Sequence, residues 1–156
     1  MNWEENKEEI IRIYSKGEYA KEKPKLIEHT VNGNGFNIFA ALFSPLYLLY
    51  RKLYLYGVAL FAVSFVPDIL KKVFGAPNVL EYIYYIVAFI VCGFAFYPLY
   101  QSHIKSVFDK YKDSENCEEQ LKKKGGTNPL IVLLYFAIII GGILIHVAMV
   151  RYNYYH

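Results

Sequence analysis

The chain has 156 residues, 55% of them apolar and 20% charged, with a formal net charge of +3. That length allows one modest domain, and so small and scattered a positive excess makes no case for a nucleic-acid partner. The apolar residues gather into long blocks, Leu53–Leu70, Val79–Tyr100 and Pro129–Val150, behind a shorter run, Phe36–Tyr50. Each long block is close to the roughly 18 or more residues a bilayer-spanning helix needs, which excludes an ordinary soluble domain.

The first thirty-five residues hold seven acids and six Lys or Arg, with no leading apolar core and no small-residue cleavage site, so no cleaved signal peptide is expected. Asn2 to Ser15 reads as a short helix, capped by Asn2 with Glu5 three residues on and ended by Gly17. Trp3, Ile10 and Tyr14 fall on one face of it, which suits a helix leaning on its own membrane domain or docking to a partner or headgroups. Lys21 to His29 is charged and contains Pro24, and reads as a linker. Asn32-Gly33-Asn34-Gly35 supplies turn residues that tolerate positive φ.

Phe36–Tyr50 would be about 22 Å long as a helix, short for a hydrocarbon layer of about 30 Å. It is interrupted by Pro45 and ends at Arg51-Lys52. One helix running on to Leu70 would bury both cations near mid-bilayer, at roughly 2.5–3.5 kcal/mol each. Two threadings remain. With four crossings, nine cations face eight across the membrane, which carries no orientation signal. With Phe36–Tyr50 interfacial or re-entrant there are three crossings. The inner side then collects fourteen Lys and Arg, and the outer side keeps Lys71, Lys72 and Arg151. The second split fits the bias of cations toward the cytoplasm.

The pattern Phe43-x-Pro45-x4-Tyr50-Arg51-Lys52-x-Tyr54 resembles the signature of a bacterial membrane family, domain of unknown function 2628. Tyr47 stands where that segment usually carries Trp, and Gly125-Gly126-Thr127 is also similar to the family. The resemblance runs from Gly35 to Val150; it implies an integral membrane protein and supplies no activity, ligand or catalytic residue to carry over.

Beyond the spans, Ile104, Val107, Phe108 and Tyr111 form one helical stripe. Glu118 with Lys122 and Glu119 with Lys123 support a helix ending at Gly125-Gly126, and Asn128-Pro129 starts the last span. Gly141-Gly142 permits close helix approach, and Arg151 to His156 forms an aromatic stop. Cys92 and Cys117 lie in a span and a charged loop, so neither a disulfide nor a metal site is expected. Cys117 is the natural thiol probe of the inner loop.

Candidate residues are few. Asp68 and His146, the latter about 26 Å along its helix, form a candidate intramembrane polar pair near the outer boundary. Arg51, Lys52, Lys105 and Lys110 are candidates for binding anionic lipid headgroups, at about 1 kcal/mol per cation. His103 and Thr127 read as boundary or cap residues. No paired-His helix, phosphate-cradling glycine loop or nucleophile elbow is present.

The expectation is an all-α integral membrane protein of the bacterial cytoplasmic membrane, multi-pass with the N-terminus cytoplasmic. Residues 1–35 form a polar N-terminal segment with a small helix, and residues 36–156 form the membrane domain. Within the latter, residues 36–50 are interfacial or re-entrant, 53–70, 79–100 and 129–150 are spans, and 101–128 are a cytoplasmic helical loop. The expected role is a non-enzymatic accessory or scaffold without cofactor, whose partners are the lipid bilayer and another membrane protein or a second copy. The alternatives are a subunit of an oligomeric transporter or channel, and an envelope stress or immunity factor.

Overall fold

A single helix of 33 residues joins two chemically different ends of this molecule. The computed structural model describes residues 2–16, 24–75 and 77–155, the side chains of residues 139, 146, 148 and 150–155 excepted. Among these, all the regular structure is helical: α1 (Trp3–Lys16), α2 (Pro24–Asn32), α3 (Ile38–Tyr50), α4 (Tyr54–Val63), α5 (Val66–Phe74), α6 (Val79–Tyr111), α7 (Cys117–Lys124) and α8 (Pro129–Tyr155). The helix in question is α6. Its N-terminal part turns Ile83, Ile86, Ile90, Val91 and Phe94 outward, while Phe96, Tyr97, Tyr100, Ile104 and Phe108 are buried. The stripe at Ile104 and Phe108 continues the helical period past Tyr100, so the expected span and the helix after it are one rod rather than two.

Around the buried end of α6, helices α1, α2 and α7 build a head with an apolar core. Its core holds Trp3, Ile10, Ile11, Ile13 and Tyr14 of α1, Leu26 and Ile27 of α2, and Cys117 and Leu121 of α7. Asn2 caps α1, its side-chain oxygen accepting from the Glu4 amide at 3.2 Å. Gly17 lies outside the described residues, as do residues 21–23 of the expected linker. From Pro24 onward that linker is helical instead. Proline at the first helical position gives up only an N–H that would have had no intrahelical partner, so Pro24 starts α2 rather than breaking it. The Gln101 side-chain amide then clasps the end of α2, donating to the Thr30 and Val31 carbonyls at 2.7 and 2.9 Å.

Helix α3 begins with Asn37, whose side chain accepts from Ala40 N at 2.9 Å and whose own amide donates to the Gly93 carbonyl of α6 at 2.8 Å. Gly93 has no side chain because the Phe36 ring occupies that space, 2.1 Å from where a Cβ would stand. Midway, Pro45 lacks the N–H that would bond to the Ala41 carbonyl. The Ser44 hydroxyl donates there instead at 3.2 Å, and the backbone breaks at Ser44, φ 22° and ψ −101°. The far end of α3 arrives beside Tyr100. Its two ends therefore meet α6 at positions about 10 Å apart along the axis, although a straight helix of that length would cover about 20 Å. Helix α4 packs back along α3, with Gly57 set against Leu49 and the Pro45 carbonyl.

The expected span Leu53–Leu70 is not one helix. It is divided into α4 and α5 at Ser64-Phe65, because Pro67 has no N–H to offer the Val63 carbonyl four residues back. Among the described residues, two helices are long and apolar enough to cross a membrane: α6 and α8. The last helix runs on to Tyr155, through the residues expected to stop it.

Candidate functional site

Four parts of the chain converge on the turn Tyr50-Arg51-Lys52, which follows α3. The turn reverses direction through Lys52 at φ 63°, a left-handed conformation rare outside glycine and asparagine. The Tyr50 carbonyl accepts from the Asn128 amide at 2.8 Å, and the Asn128 side chain donates to the Tyr54 hydroxyl at 3.1 Å. The Lys52 ammonium donates to the Gly125 carbonyl and, at 3.4 Å, to that of Lys123. It thereby caps the C-terminus of α7, where unpaired carbonyls carry partial negative charge. Gly126 N donates to the Tyr14 carbonyl of α1 at 2.7 Å. The approach is so close that a Cβ on Gly125 would stand 2.1 Å from the same carbonyl oxygen.

Arg51 points the other way, into the protein, and is 1% exposed. Its guanidinium carbon lies 5.9 Å from the Tyr47 ring centre and 5.7 Å from that of Tyr100. Its Nε makes a long hydrogen bond, 3.5 Å, to the Tyr47 hydroxyl. Among the described residues no carboxylate is within ion-pair distance of it. Burial disfavours the charged form, but Tyr100, Tyr47 and Tyr50 more than offset this, so the pKa sits above its ordinary value and the group stays charged.

Over this cage, Tyr14 of α1 meets His103 of α6, hydroxyl to Nε2, at 3.0 Å. Burial raises the phenol pKa and lowers that of the imidazole, so both groups are neutral at pH 7. The pair latches α1 to α6 with uncharged partners.

The four cations expected at the membrane surface are placed differently from one another. Arg51 and Lys52 face inward as described. Lys105 is exposed on α6, paired with Asp109 at 2.9 Å and set over the Trp3 ring at 6.0 Å. Lys110 is exposed beside the Tyr111 ring at 5.7 Å. Asp68 lies exposed on α5, a helix that packs on α6, whereas the side chain of His146, on α8, is outside the described residues. Tyr14, Ser15, Tyr47 and Tyr100 were not singled out for chemistry by the sequence, since each reads there as an ordinary core or interface residue. Among the described residues no cluster of His, Cys, Asp and Glu could hold a metal. A cavity of about 380 Å³ lies under the break in α3, lined by Ser44, Pro45, Leu60, Tyr84, Tyr85 and Tyr135 among others, none of them charged.

A family model described as "Protein of unknown function (DUF2628)" matches residues 7–105. The match begins earlier than the expected resemblance, taking in most of α1, and stops before Gly125-Gly126-Thr127 and α8. It includes Arg51, both of its tyrosines and the Tyr14–His103 latch. No curated protein and no solved structure matches the chain.

Two outcomes follow from this joint. Gly125→Ala forces a methyl against the Tyr14 backbone, which cannot move as a side-chain tip would. A loss of about 1–3 kcal/mol is expected, read by urea unfolding followed through Trp3 fluorescence. Lowering the pH below 6.5, the ordinary value for His103, protonates the unfolded chain before the folded one. Stability is therefore expected to be full above that pH and to fall as pH drops through the lower folded value. His103→Gln flattens that limb; an unchanged acid limb in this variant refutes the assignment.

Proposed function

The chain belongs to the DUF2628 family, and on that premise we propose that it is a multi-pass protein of the bacterial cytoplasmic membrane acting as a non-enzymatic scaffold. Its head lies in the cytoplasm, and its apolar helices engage another membrane protein or a second copy. In this reading α6 and α8 cross the bilayer, α4 and α5 together make the third crossing, and α3 is re-entrant.

The threading is supported by the head. Helix α1, the Arg51-Lys52 turn and α7 are joined by direct bonds, so they share one side of any membrane. A four-crossing path would put α1 opposite the turn. The shared side collects the fourteen cations, and cations favour the cytoplasm. For α3, the nearness of both its ends on α6 and its break at Ser44-Pro45 favour dipping into the bilayer and returning.

The observation that carries the scaffold reading is a contrast in packing. The head buries its large apolar side chains in a core of its own, while α8 packs on α3 and leaves Leu130, Leu133, Leu134, Ile138 and Leu144 uncovered. Among the described residues, nothing lies within 4 Å of where a Cβ would stand on Gly141 or Gly142. Close approach between helices in lipid depends on such small residues, so this face suits a neighbouring helix.

The partner is tested with a photocrosslinking residue at Leu133 in native membranes. The expected product is a discrete protein adduct; adducts with lipid alone defeat the scaffold reading. A homo-oligomer that carries ions in liposomes supports the transporter alternative instead. For the threading, Cys117 is a poor probe, because it is buried and burial raises its thiol pKa. Lys110→Cys, with Cys92 and Cys117 replaced by serine, is expected to resist an impermeant thiol reagent on intact cells and to react after permeabilisation. Labelling on intact cells reverses the orientation.

A further inference from the structure

The break in α3 does more than return the chain to α6; it wraps a cavity. The void of about 380 Å³ beneath it is lined by six consecutive residues, Ala41 to Leu46. On an intact helix, residues two apart lie about 200° around the axis, so a straight α3 would not turn all six toward one space. Ser44 holds the backbone that does so, at φ 22° and ψ −101°. Such strained conformations persist where their surroundings enforce them, and they gather at ligand clamps. The remaining walls come from Leu60 of α4, Tyr84, Tyr85, Ala88 and Phe89 of α6, and Tyr135 of α8.

The lining narrows the ligand. The volume falls in the lower part of the roughly 300–1,000 Å³ range of small-molecule sites. Five of the twelve lining side chains are aromatic and none is charged, which excludes an ionic ligand and suits a flat ring. Among the described residues, the hydroxyls of Tyr84, Tyr85 and Tyr135 make no hydrogen bond within the protein. A hydroxyl without a partner in apolar surroundings is costly, and each phenol is a donor that a carbonyl oxygen would satisfy. A saturated acyl chain offers no such acceptor. We propose that this cavity binds a neutral, membrane-dissolved ring compound bearing carbonyl oxygens, the chemistry of a quinone. Tyr84, the least exposed of the three tyrosines, donates to a ring carbonyl, and a tail leaves toward lipid beside the exposed Tyr85 and Tyr135. The site rests on the reading that places α3 in the bilayer and needs no protein partner.

The test uses the full-length protein in membranes and an azido-benzoquinone with a decyl tail, photolysed and its adducts mapped by mass spectrometry. Labelling is expected to saturate, to fall on Ala41 to Leu46 and Tyr84 to Phe89, and to be displaced by unlabelled decylbenzoquinone but not by oleate. Tyr84→Phe keeps the ring and removes one donor, and is expected to raise the half-saturating concentration about tenfold. Ala88→Trp fills the cavity and is expected to abolish labelling; Tyr84→Phe alone decides the matter where Ala88→Trp does not fold. Displacement by oleate as readily as by the quinone, with Tyr84→Phe labelled like wild type, overturns the proposal in favour of an acyl chain. Unsaturable labelling spread over outward residues of α6, such as Ile86 and Ile90, overturns it in favour of partition into bulk lipid. Either failure leaves the threading intact, since that is read separately from labelling of Lys110→Cys.

Discussion

A guanidinium taken out of water and set between two tyrosine rings is the constraint on which the rest of this molecule depends. Removing such a charge from solvent costs several kcal/mol, and each ring face returns about 2 kcal/mol or more when desolvated. Arginine cannot escape by losing its proton. Its surroundings must therefore be assembled from distant parts of the chain. Helix α3 must end where Tyr47 and Arg51 both face α6, and α6 must remain helical as far as Tyr100. Helix α1 must lie over the result, held by the Tyr14 side chain at His103 and the Tyr14 carbonyl at Gly126.

The neighbouring lysine completes the arrangement from the other side of the same turn. Successive residues at a reversal point in different directions, so Arg51 enters the core while Lys52 reaches the end of α7. One turn thus fastens the head to the link before α8. Glycine at position 125 is required by contact rather than conformation, since the Tyr14 carbonyl fills the place a side chain would take. Both glycines of the pair serve the joint, one by having no side chain and the other by donating its amide.

Away from this joint the physics changes. The head buries its large apolar side chains among themselves, whereas α4, α5, α8 and the first part of α6 turn large apolar side chains outward. Proline shapes the apolar half. At Pro45 the lost backbone bond is replaced by the Ser44 hydroxyl, and α3 bends back toward the end of α6 it started from. At Pro67 the bond is lost between α4 and α5, and the run separates into two short helices. At Pro24, where no bond stood to be lost, the same residue begins a helix.

Much of the plan was legible in the amino-acid order, because its causes are local. Apolar blocks of spanning length, the short run broken at Pro45, the stripe through Ile104 and Phe108 and the bias of cations all follow from composition and period alone. Pro24 was read as part of a linker, and the span over residues 53–70 was read without a break at Pro67, since the effect of proline depends on whether its amide would have been needed. The roles of Arg51, Lys52 and Gly125 were hidden for a different reason. A cation beside a membrane run reads as a surface anchor, and what turns it inward is a set of tyrosines and carbonyls brought from α1, α6 and α7. Sequence determined where polar and apolar segments divide the chain, because hydropathy is a property of each segment. Only the tertiary structure decided that its central cation belongs to the core, because a buried charge is settled by the partners that surround it.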